Sequence, residues 1–516
     1  MKKRRVRFAP SPTGPLHIGG IRTALYNYLF AKQAGGDFIL RIEDTDSQRI
    51  VPGAEEYIIE SLRWCGITPD EGVDQEGKIV CIPSDKHPFA PYRQSQRKEI
   101  YVKYAEELVS KGFAYYAFDT PEELELLRKK SAEKKEVFTY NYTVRDELNN
   151  SLTLPADIVS KKLKEDKHWT IRFKVPENTI IRMHDIIRGD IEVNSNTLDD
   201  KVLWKCTDQL PTYHLANIVD DHLMEITEVI RGEEWLPSLP LHYLLYEAFG
   251  WQETKPQFAH LSLILKPDGK GKLSKRDGDR LGFPVFPLKW VNSEEEISRG
   301  YREDGYYPKA FINLLALLGW NPGTEQEIFS MEELIESFSL ERVIKSGAKF
   351  NPEKAQWFNK EYLRRQSTES LVSDFKAIEG DRLTGFHDEY IGAVCNTIKE
   401  RAHFVNEFWE LSDYFFVAPS LYDPAAVAKF WKEDTQVIIP QIHKFICEIT
   451  PFSKEEIEKK LHQLIMDNQW PLGKVMNTLR LFIVGESKGA GIADIMALLG
   501  KDEVDNRIKR ALKILI

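Results

Sequence analysis

The sequence contains little cysteine for its length. Its 516 residues include five cysteines, none of which belongs to a Cys-X-X-Cys pair. The cysteines are Cys65, Cys81, Cys206, Cys395 and Cys447. An odd number of widely spaced cysteines excludes a disulfide-stapled scaffold and a four-cysteine zinc site, and it is typical of a reducing compartment.

Long apolar runs are also missing. The longest, at 314–318 with its flanks, is far shorter than the roughly 20 residues that a membrane-spanning helix needs. The basic start at 2–5 leads to Pro10 without the apolar stretch of a signal peptide. We therefore expect a cytoplasmic protein with no membrane partner.

Positive charge is not in excess. Lys and Arg number 70 against 80 Asp and Glu, which gives a formal net charge of −10. This charge excludes a polycation that holds nucleic acid through bulk charge, although a local basic track remains compatible with RNA binding. A hydrophobic content of 42% with 29% charged residues is typical of a soluble globular protein, and the length suggests about three or four domains.

The first 65 residues alternate between predicted strands and helices. Residues 4–9 and 38–42 have the pattern of strands, and each is followed by a helical pattern, through 21–29 and from 52 to about 64. Strand, helix, strand and helix in this order predict a parallel α/β sheet.

Two later regions have a different character. Residues 113–212 combine short strand-like pieces with a polar helix and predict an inserted α+β module. Beyond about 330 the chain turns helical. Capping-box patterns predict helix starts at Thr120, Ser330 and Ser453.

A turn rich in proline and glycine joins the first strand to the first helix, and it places His17 in the first helical turn. Free backbone N–H groups and the helix dipole favour an anion there, and an imidazole can donate to a phosphate oxygen. Gly19 and Gly20 each cost roughly 1 kcal/mol of helix stability relative to alanine. Glycine at both positions would be explained if a flat ring approached the backbone closely there. A tight turn with a capping histidine is the alternative, and the spacing alone does not decide between the two.

A second basic segment lies about 250 residues later, at 270–278. Lys272 and Lys275 stand three residues apart beside glycines. They could form a mobile clamp for the charge that develops on a transferring phosphoryl group and its leaving pyrophosphate. Taken alone, the segment is better explained as a solvated basic turn.

Together the two segments resemble the signatures of class I aminoacyl-tRNA synthetases, at His17–Gly20 and Lys272–Arg276. Longer stretches, spread over nearly the whole chain, are similar to bacterial-type glutamyl-tRNA synthetases. These stretches are 7–20, 38–46, 92–97, 211–235, 258–265 and 476–500. The resemblance implies a Rossmann-type parallel-sheet catalytic domain with an inserted α+β acceptor-binding module, followed by an all-helical anticodon-binding region.

The resemblance and the composition shifts together predict four parts of the chain. They are a catalytic domain in two halves (1–112 and 213–268), an acceptor-stem-binding module (113–212), a region with the lysine loop and stem contacts (269–345), and a helical anticodon-binding region (346–516). Within the last part, 476–480 and 485–491 are the candidate anticodon contacts, with ordinary helix–loop packing as the alternative.

Charge considerations suggest how such a protein would hold glutamate. Arg7, Glu43 and Arg231 fall at or beside the carboxyl ends of predicted strands, where open α/β sheets bind ligands. Because the α-carboxylate must attack ATP, we assign both arginines to the side-chain carboxylate and Glu43 to the ammonium group. A surface ion pair is the alternative for any one of them. The resemblance points to the same positions, implies that Arg231 selects glutamate over glutamine, and adds hydrogen bonds from Ser11, Tyr213 and Asn217.

The resemblance also implies the activity, glutamate–tRNA ligation with ATP and Mg²⁺. Glutamate would first form an adenylate and then be transferred to the terminal adenosine of tRNA-Glu, with tRNA binding required before activation. The implied catalytic groups are His17, Lys272 and Lys275. The implied ATP-binding set is Pro10, Ser11, Thr13, Gly14, His17, Gly19, Gly20, Lys272, Ser274 and Lys275. We expect a monomer; charging of tRNA-Gln as well stays open.

Other functions share parts of these patterns. Glutaminyl-tRNA synthetases have a different loop around the histidine, and the shorter glutamyl-queuosine synthetases lack an anticodon region. An inactive paralogue that binds tRNA or a regulatory partner is disfavoured by the intact His17, Glu43, Arg231 and Lys275. Asp220–His222 could suggest a metal site, but loop carboxylates that hold neighbouring side chains are the better interpretation.

The sequence makes one prediction about metal content. Many relatives carry a zinc knuckle of cysteines near the stretch 116–120, where this chain has Ala117 and Asp119. Neither side chain offers a thiolate, so we predict no structural zinc. Metal analysis of the purified protein should find none in stoichiometric amount, and one tightly held zinc per chain would contradict the prediction.

Overall fold

The computed structural model of the chain describes residues 3–166 and 168–515. It divides into two compact units. The first contains the residues up to 304 together with 308–352, and the second contains 305–307 together with the residues from 353 onward. No helix in the described part of the chain is both long enough and apolar enough to cross a membrane.

The strands and helices are as follows. The strands are β1 (Arg5–Phe8), β2 (Asp37–Leu40), β3 (Ala114–Ala117), β4 (Thr170–Phe173), β5 (Ile180–Asp185), β6 (Gly189–Asn194), β7 (Val202–Lys205), β8 (Leu210–Pro211), β9 (Glu228–Gly232), β10 (Gln257–Leu261), β11 (Ile264–Leu265), β12 (Trp290–Val291), β13 (Ile297–Ser298) and β14 (Ala348–Lys349). The helices of the first unit are α1 (Ile18–Gln33), α2 (Ala54–Trp64), α3 (Lys98–Ser110), α4 (Pro121–Glu133), α5 (Ala156–Glu165), α6 (Tyr213–Leu223), α7 (Leu239–Phe249), α8 (Lys275–Leu281), α9 (Pro308–Leu317) and α10 (Met331–Ser337). Those of the second unit are α11 (Pro352–Arg364), α12 (Thr368–Glu379), α13 (Asp388–Ile398), α14 (Phe408–Phe416), α15 (Pro424–Phe430), α16 (Glu433–Glu448), α17 (Lys454–Asp467), α18 (Leu472–Val484), α19 (Ile492–Leu499) and α20 (Lys501–Leu515).

A six-stranded sheet in the order β2-β1-β9-β10-β5-β6 forms the centre of the first unit. Its first five strands run parallel, and β6 runs antiparallel to β5. All four residues of β1 are buried, as expected of a strand covered on both faces, and α1 packs against β1, β2 and β9. The predicted parallel α/β sheet is confirmed.

The position of β1 creates the crevice for a ligand. The chain leaves β1 through α1 to β2 on one side, whereas β9 pairs with β1 on the other side. Connections that depart in opposite directions leave a gap beyond the carboxyl ends of the strands, where open α/β sheets bind ligands.

The region predicted as one inserted module is shared between two sheets. β3, β4, β7 and β8 form a separate antiparallel sheet, whereas the hairpin β5–β6 joins the central sheet through β10. Phe258 of β10 is the register partner of Asp185, the last residue of β5. The alternating burial of β5 resembles that of any half-buried strand, so its sequence did not indicate which sheet it joins.

The second unit is helical, as predicted for the end of the chain. Its core is made of aliphatic and aromatic side chains from α11 to α20. The predicted helix starts also agree with the structure: Thr120 and Ser330 form capping boxes at α4 and α10, and Ser453 accepts from the Glu456 amide at α17.

Candidate active site

A cavity of about 580 Å³ opens at the carboxyl ends of the central strands. It lies within the first unit. It brings together all the site residues expected from the sequence except Ser274. Those that line it are Arg7, Pro10, Ser11, Thr13, Gly14, His17, Gly19, Gly20, Glu43, Tyr213, Asn217, Arg231, Lys272 and Lys275.

His17 stands at the start of α1 and has one nitrogen without a partner. It is the N-cap residue, and its Nδ1 accepts a hydrogen bond from the Gly19 amide at 3.2 Å. A neutral ring that accepts at Nδ1 carries its proton on Nε2. Nε2 is buried and has no hydrogen-bond partner within the described part of the chain. The side chain therefore offers one unused N–H at the cavity wall.

The surroundings keep His17 neutral. Burial is the main cause that lowers its pKa, to about 4, and the charges of Lys272 and Lys275 add to the effect. The two segments that are some 250 residues apart in sequence are thus neighbours in space. A Cβ placed on Gly14 would lie 3.4 Å from Lys275 Nζ.

The backbone at the start of α1 differs from the expectation of free N–H groups. The Ile18 amide donates to the Val285 carbonyl at 3.0 Å, and the Gly20 amide donates to the His17 carbonyl at 2.8 Å. With the Gly19 amide held by the His17 ring, the first-turn donors are already used. An anion at this helix end must therefore be recognised mainly by side chains.

Glycine occupies positions 19 and 20 for different reasons. A Cβ on Gly20 would lie 2.4 Å from Leu16 Cδ1, so a larger residue there would force the Leu16 side chain to shift, and packing accounts for that glycine. A Cβ on Gly19 would meet only ordinary contacts, and Gly19 lines the cavity. Only Gly19 therefore fits the expected close approach of a ring to the backbone.

The lysine segment leads directly into α8. Lys275 is the first residue of this helix, and burial lowers its pKa. Lys272 Nζ lies 3.6 Å from Glu234 Oε1, and both side chains are about half exposed. Since such exposed pairs contribute at most roughly 1 kcal/mol, Lys272 can exchange Glu234 for an anionic ligand at small cost.

Ser274 departs from the expected nucleotide-binding set. It is the N-cap residue of α8, and its hydroxyl donates to Asp277 Oδ2 at 2.5 Å. These hydrogen bonds lower the pKa of Asp277 to about 2. Ser274 does not line the cavity. The Asp277 carboxylate also accepts from the Ser274 amide at 3.0 Å, so Asp277 holds both the hydroxyl and the amide of this serine at the start of α8.

Arg7 is matched to an acidic residue. Its Nε and Nη2 donate to the two carboxylate oxygens of Asp221 at 3.0 and 3.2 Å. Arg41, fully buried, donates to Asp221 at 2.9 Å and to Glu43 at 3.0 Å. Burial by itself raises the pKa of Asp221, but the two arginines outweigh it and lower that pKa. Arg7 Nη1 has no hydrogen-bond partner in the part of the chain that the structure describes and is left for a ligand.

The neighbouring Asp220 completes a balanced group of charges. It accepts from Arg97 at 2.8 Å, Gln94 at 2.9 Å and the Tyr101 hydroxyl at 2.7 Å. Three arginines thus face three carboxylates beneath the cavity: Arg7, Arg41 and Arg97 against Glu43, Asp220 and Asp221. Such a group satisfies its own charges, and its two aspartates hold neighbouring side chains as expected, although they lie on α6 and not in a loop.

Glu43 lies at the edge of this group. Its Oε1 accepts from Arg41 and from Asn217 Nδ2, at 3.0 and 3.1 Å. Burial raises the pKa of Glu43 despite the nearby arginines. An ammonium group that binds here would favour the ionised carboxylate.

Arg231 is surrounded differently from Arg7. Its Nε donates to His260 Nε2 at 3.0 Å, and its Nη1 donates to the Tyr213 hydroxyl at 2.7 Å. Longer contacts reach His242 Nδ1 at 3.5 Å and the Trp235 carbonyl at 3.4 Å. No carboxylate lies within ion-pair distance of Arg231 among the described residues. It is a buried cation with neutral partners.

One group of potential metal ligands lies outside the cavity, in the second unit: His443, Cys447 and Asp505. Asp505 is already paired with His443 at 2.7 Å and with Lys509 at 2.7 Å. The Lys509 hydrogen bond is the main cause that lowers the Asp505 pKa. Ion pairing explains this cluster without a metal.

Several cavity residues escaped the sequence reasoning. Trp235 stacks on Tyr213 with ring centroids 4.1 Å apart, and Arg49 and Thr23 also line the cavity. Trp235 ends one of the stretches that carried the resemblance, which could have indicated it. His260 occupies the next-to-last position of β10, as Arg231 does in β9, and this shared position was the available signal.

Comparisons with known proteins agree with this geometry. The family model described as "tRNA synthetases class I (E and Q), catalytic domain" matches residues 3–357, and the one described as "Anticodon binding domain" matches 360–512. A glutamate–tRNA ligase of Porphyromonas gingivalis (strain W83) is 54% identical over 99% of this chain and 99% of its own length. One of Flavobacterium johnsoniae is 53% identical, with both chains fully covered.

Solved structures point the same way. The crystal structure of a glutamate tRNA ligase from Elizabethkingia meningosepticum, in complex with its amino acid, matches with a TM-score of 0.93 and 52% identity over the whole of both chains. A glutamate-tRNA synthetase from Elizabethkingia anophelis matches with a TM-score of 0.90 and 51% identity, over 99% of this chain and 100% of its own. On its fold, its site and these matches, the chain belongs to the class I tRNA synthetases of the E and Q group.

Proposed function

We propose that the protein is a glutamate–tRNA ligase. It activates L-glutamate with ATP to glutamyl-adenylate and pyrophosphate, and it transfers the glutamyl group to the terminal adenosine of tRNA-Glu. Membership of the class I family implies the use of ATP. The low cysteine content supports a location in the cytoplasm.

The observation that carries the proposal is the charge balance of the cavity. Arg7 is neutralised by Asp221, whereas Arg231 is a buried cation with neutral partners only. An anionic side chain binds best where its charge meets an uncompensated cation out of water. The side-chain carboxylate of glutamate supplies that charge, and the neutral amide of glutamine does not. Arg231 is therefore the primary partner, and Arg7 assists through its unused Nη1.

The other groups of the amino acid find partners around Arg231. Glu43 takes the ammonium group, and the Asn217 amide, which already donates to Glu43, holds that carboxylate in place. Ser11 and Tyr213 line the same cavity and add hydrogen bonds. The α-carboxylate remains free of a strong ion pair and can attack the α-phosphorus of ATP.

The nucleotide occupies the part of the cavity between His17 and the lysine segment. His17 Nε2–H donates to a phosphate oxygen, and Lys272 and Lys275 stabilise the charge that develops on the leaving pyrophosphate. Pro10, Thr13, Gly14, Gly19 and Gly20 shape the wall against the nucleotide. The Ser274 hydroxyl donates to Asp277, and this contact fixes where α8 presents Lys275.

Mg²⁺ fits this arrangement as part of the nucleotide. The ion prefers oxygen ligands and retains several waters, and it is commonly held through substrate phosphates. The cavity carboxylates are engaged, since Glu43 binds Arg41 and Glu234 lies beside Lys272. The phosphates and water therefore supply its ligands, and the ion neutralises phosphate charge.

The remaining parts of the chain contact tRNA. We assign the acceptor end to the antiparallel sheet and helices within 113–212, stem contacts to 269–345, and the anticodon end to the helical region from 346. In this region, Arg480 Nη1 donates to the Gly489 carbonyl at 3.0 Å, and Arg401 donates to the same oxygen. Neither arginine has an ion-pair partner among residues 3–166 and 168–515. Arg480 lies within the stretch 476–491, and Arg401 contacts it. Two arginines without acidic partners favour contact with the anionic tRNA backbone.

Aminoacylation tests the function directly. Purified enzyme is assayed with tRNA-Glu and tRNA-Gln, each with labelled glutamate and labelled glutamine. We expect glutamate on tRNA-Glu and no glutamine on either tRNA. Glutamate on tRNA-Gln would identify a non-discriminating enzyme. Periodate-oxidised tRNA, which lacks the accepting hydroxyls, is the negative control, and failure to transfer glutamate to either intact tRNA would overturn the proposal.

Replacing Arg231 tests the amino-acid pocket. Arg231→Gln removes the buried positive charge and should lower kcat/KM for glutamate by roughly two orders of magnitude or more, as expected for loss of a buried charge pair. Steady-state kinetics in the presence of tRNA, with glutamate and ATP varied separately, should show an unchanged KM for ATP. Arg63→Gln is the matched control, because Arg63 forms an exposed pair with Glu60 and does not line the cavity. Unchanged glutamate kinetics in Arg231→Gln would remove this residue from the pocket.

The charge state of His17 can be measured by NMR with labelled histidine, assigning its signal from the His17→Asn variant. We expect titration near the low pKa of about 4, so that His17 is neutral at neutral pH. Since folding favours the neutral ring, its contribution to stability is present above about pH 6.5 and is lost as the pH falls toward 4. Lys275→Met should move the titration upward, because the lysine charge lowers the pKa of His17. A wild-type titration close to 6.5 would contradict the arrangement.

A further inference from the structure

We propose that His260, held in turn by Asp185, positions Arg231 for the side-chain carboxylate of the amino acid. His260 acts as a neutral hydrogen-bond acceptor and does not touch the substrate. The proposal rests on the function proposed above and adds two residues that determine its specificity.

The strand register brings the three side chains together. Arg231 and His260 are direct partners in the parallel pair β9–β10, each at the next-to-last position of its strand. β10 pairs on its other side with β5, which ends at Asp185. The carboxyl ends of three adjacent strands therefore present an arginine, a histidine and an aspartate in a row.

The contacts between these side chains form a continuous chain. Arg231 Nε donates to His260 Nε2 at 3.0 Å, and His260 Nδ1 lies 2.6 Å from Asp185 Oδ2. The other oxygen, Asp185 Oδ1, accepts from the amides of Ile187 at 3.0 Å and Arg188 at 2.8 Å. His260 and Asp185 are fully buried. The tight turn after β5 fixes the aspartate, the aspartate fixes the imidazole, and the imidazole fixes the guanidinium.

The identity of the donors determines the tautomer of His260. A guanidinium can only donate, so His260 Nε2 must be the acceptor. A neutral ring then carries its proton on Nδ1, and this proton faces the acceptor Asp185. Burial is the largest influence on His260 and lowers its pKa despite the opposing effect of Asp185. The single proton of the ring is therefore located between the histidine and the aspartate.

The neutral His260 ring separates Arg231 from Asp185, and this avoids the neutralisation of Arg231 that a direct ion pair would cause. Arg7 shows the direct solution: Asp221 holds it firmly and also neutralises it. If Asp185 contacted Arg231 in the same way, little attraction would remain for a substrate carboxylate. The imidazole transmits the fixed orientation without supplying a negative charge at the guanidinium. This explains how Arg231 is both rigid and uncompensated.

A second histidine pair follows the same logic. His242 Nδ1 faces Arg231 Nη1 at 3.5 Å, so it is also an acceptor, and its Nε2 lies 3.3 Å from His214 Nδ1. Burial lowers the pKa of both of these histidines, in His214 to about 4. The hydrogen-bond partners of Arg231 are thus all neutral. His260 is the better-defined contact, because both of its hydrogen bonds, at 3.0 and 2.6 Å, are shorter than those of His242.

Asp185→Asn tests the tautomer. The two backbone amides hold the Asn oxygen, so that the NH₂ group replaces Oδ2 and donates to His260 Nδ1. The ring proton is then forced onto Nε2, where it opposes the Arg231 Nε–H. We expect the KM for glutamate to rise about tenfold or more, with kcat and the KM for ATP within about threefold of wild type, because a ground-state binding contact is lost. The preference for glutamate over glutamine should fall by a similar factor.

Two substitutions of His260 separate the contacts. Gln places an oxygen near the position of Nε2, where it can accept from Arg231. Asn places its polar atoms near Nδ1, where only the Asp185 contact can be kept. We expect His260→Gln to retain glutamate affinity within about threefold, and His260→Asn to weaken it about tenfold or more. Tyr243→Phe is the control: its hydroxyl binds the backbone of His184, beside Asp185 on β5, and it should leave both KM values unchanged.

The outcomes are decisive. The inference is overturned if Asp185→Asn and His260→Asn charge tRNA with a glutamate KM within about twofold of wild type, since a lost hydrogen bond to a charged group should cost more. It is equally overturned if both variants lose kcat and affinity for ATP and glutamate in parallel, which would indicate only a structural role. If His260→Asn does not fold, the glutamate KM values of Asp185→Asn and His260→Gln still test whether His260 positions Arg231. A wild-type enzyme that charges no tRNA with glutamate would instead refute the proposed function.

Discussion

A site for an amino acid with a second carboxylate must keep a positive charge out of water without neutralising it beforehand. Burying an unpaired cation is costly, so the protein has to offset the lost hydration with neutral acceptors. Around Arg231 these acceptors are an imidazole, a phenol and a backbone carbonyl. The neighbouring arginines show the contrast, because each has a carboxylate of its own. The balanced group neutralises its own charges, although its members Arg7 and Glu43 also line the cavity, whereas Arg231 keeps an uncompensated charge that is available for recognition.

The nucleotide side of the cavity uses the opposite arrangement. The start of α1 would be an anion site if its amides were free, but the backbone and the His17 ring already satisfy them. On the function proposed above, the anion is recognised by His17 Nε2 and by two lysines on a separate segment. The repulsion between the lysines and His17 also keeps that histidine a neutral donor.

Much of this could be predicted from the sequence, and the failures have physical causes. Strand and helix alternation indicated the parallel sheet, and the strand ends located Arg7, Glu43 and Arg231. That His17 lies near Lys275 could be predicted only from the family resemblance, because no local pattern relates residues some 250 positions apart. Ser274 remains a predicted nucleotide contact, but it does not line the cavity, and its spacing to Asp277 indicated that this carboxylate competes for the hydroxyl.

Asp185 and His260 could not be found in this way, since their contact depends on the register between β5 and β10 across 75 residues of chain. That register also changes how the inserted region should be understood. A boundary drawn at 113 and 212 assigns β5 to the acceptor-binding module, whereas its pairing assigns it to the catalytic sheet. Through His260, the last residue of β5 contacts Arg231, the arginine that we propose binds the side-chain carboxylate of the amino acid. The segment assigned to the tRNA acceptor end therefore contributes one strand, β5, to the sheet that carries Arg231, and the two sites share a structural element.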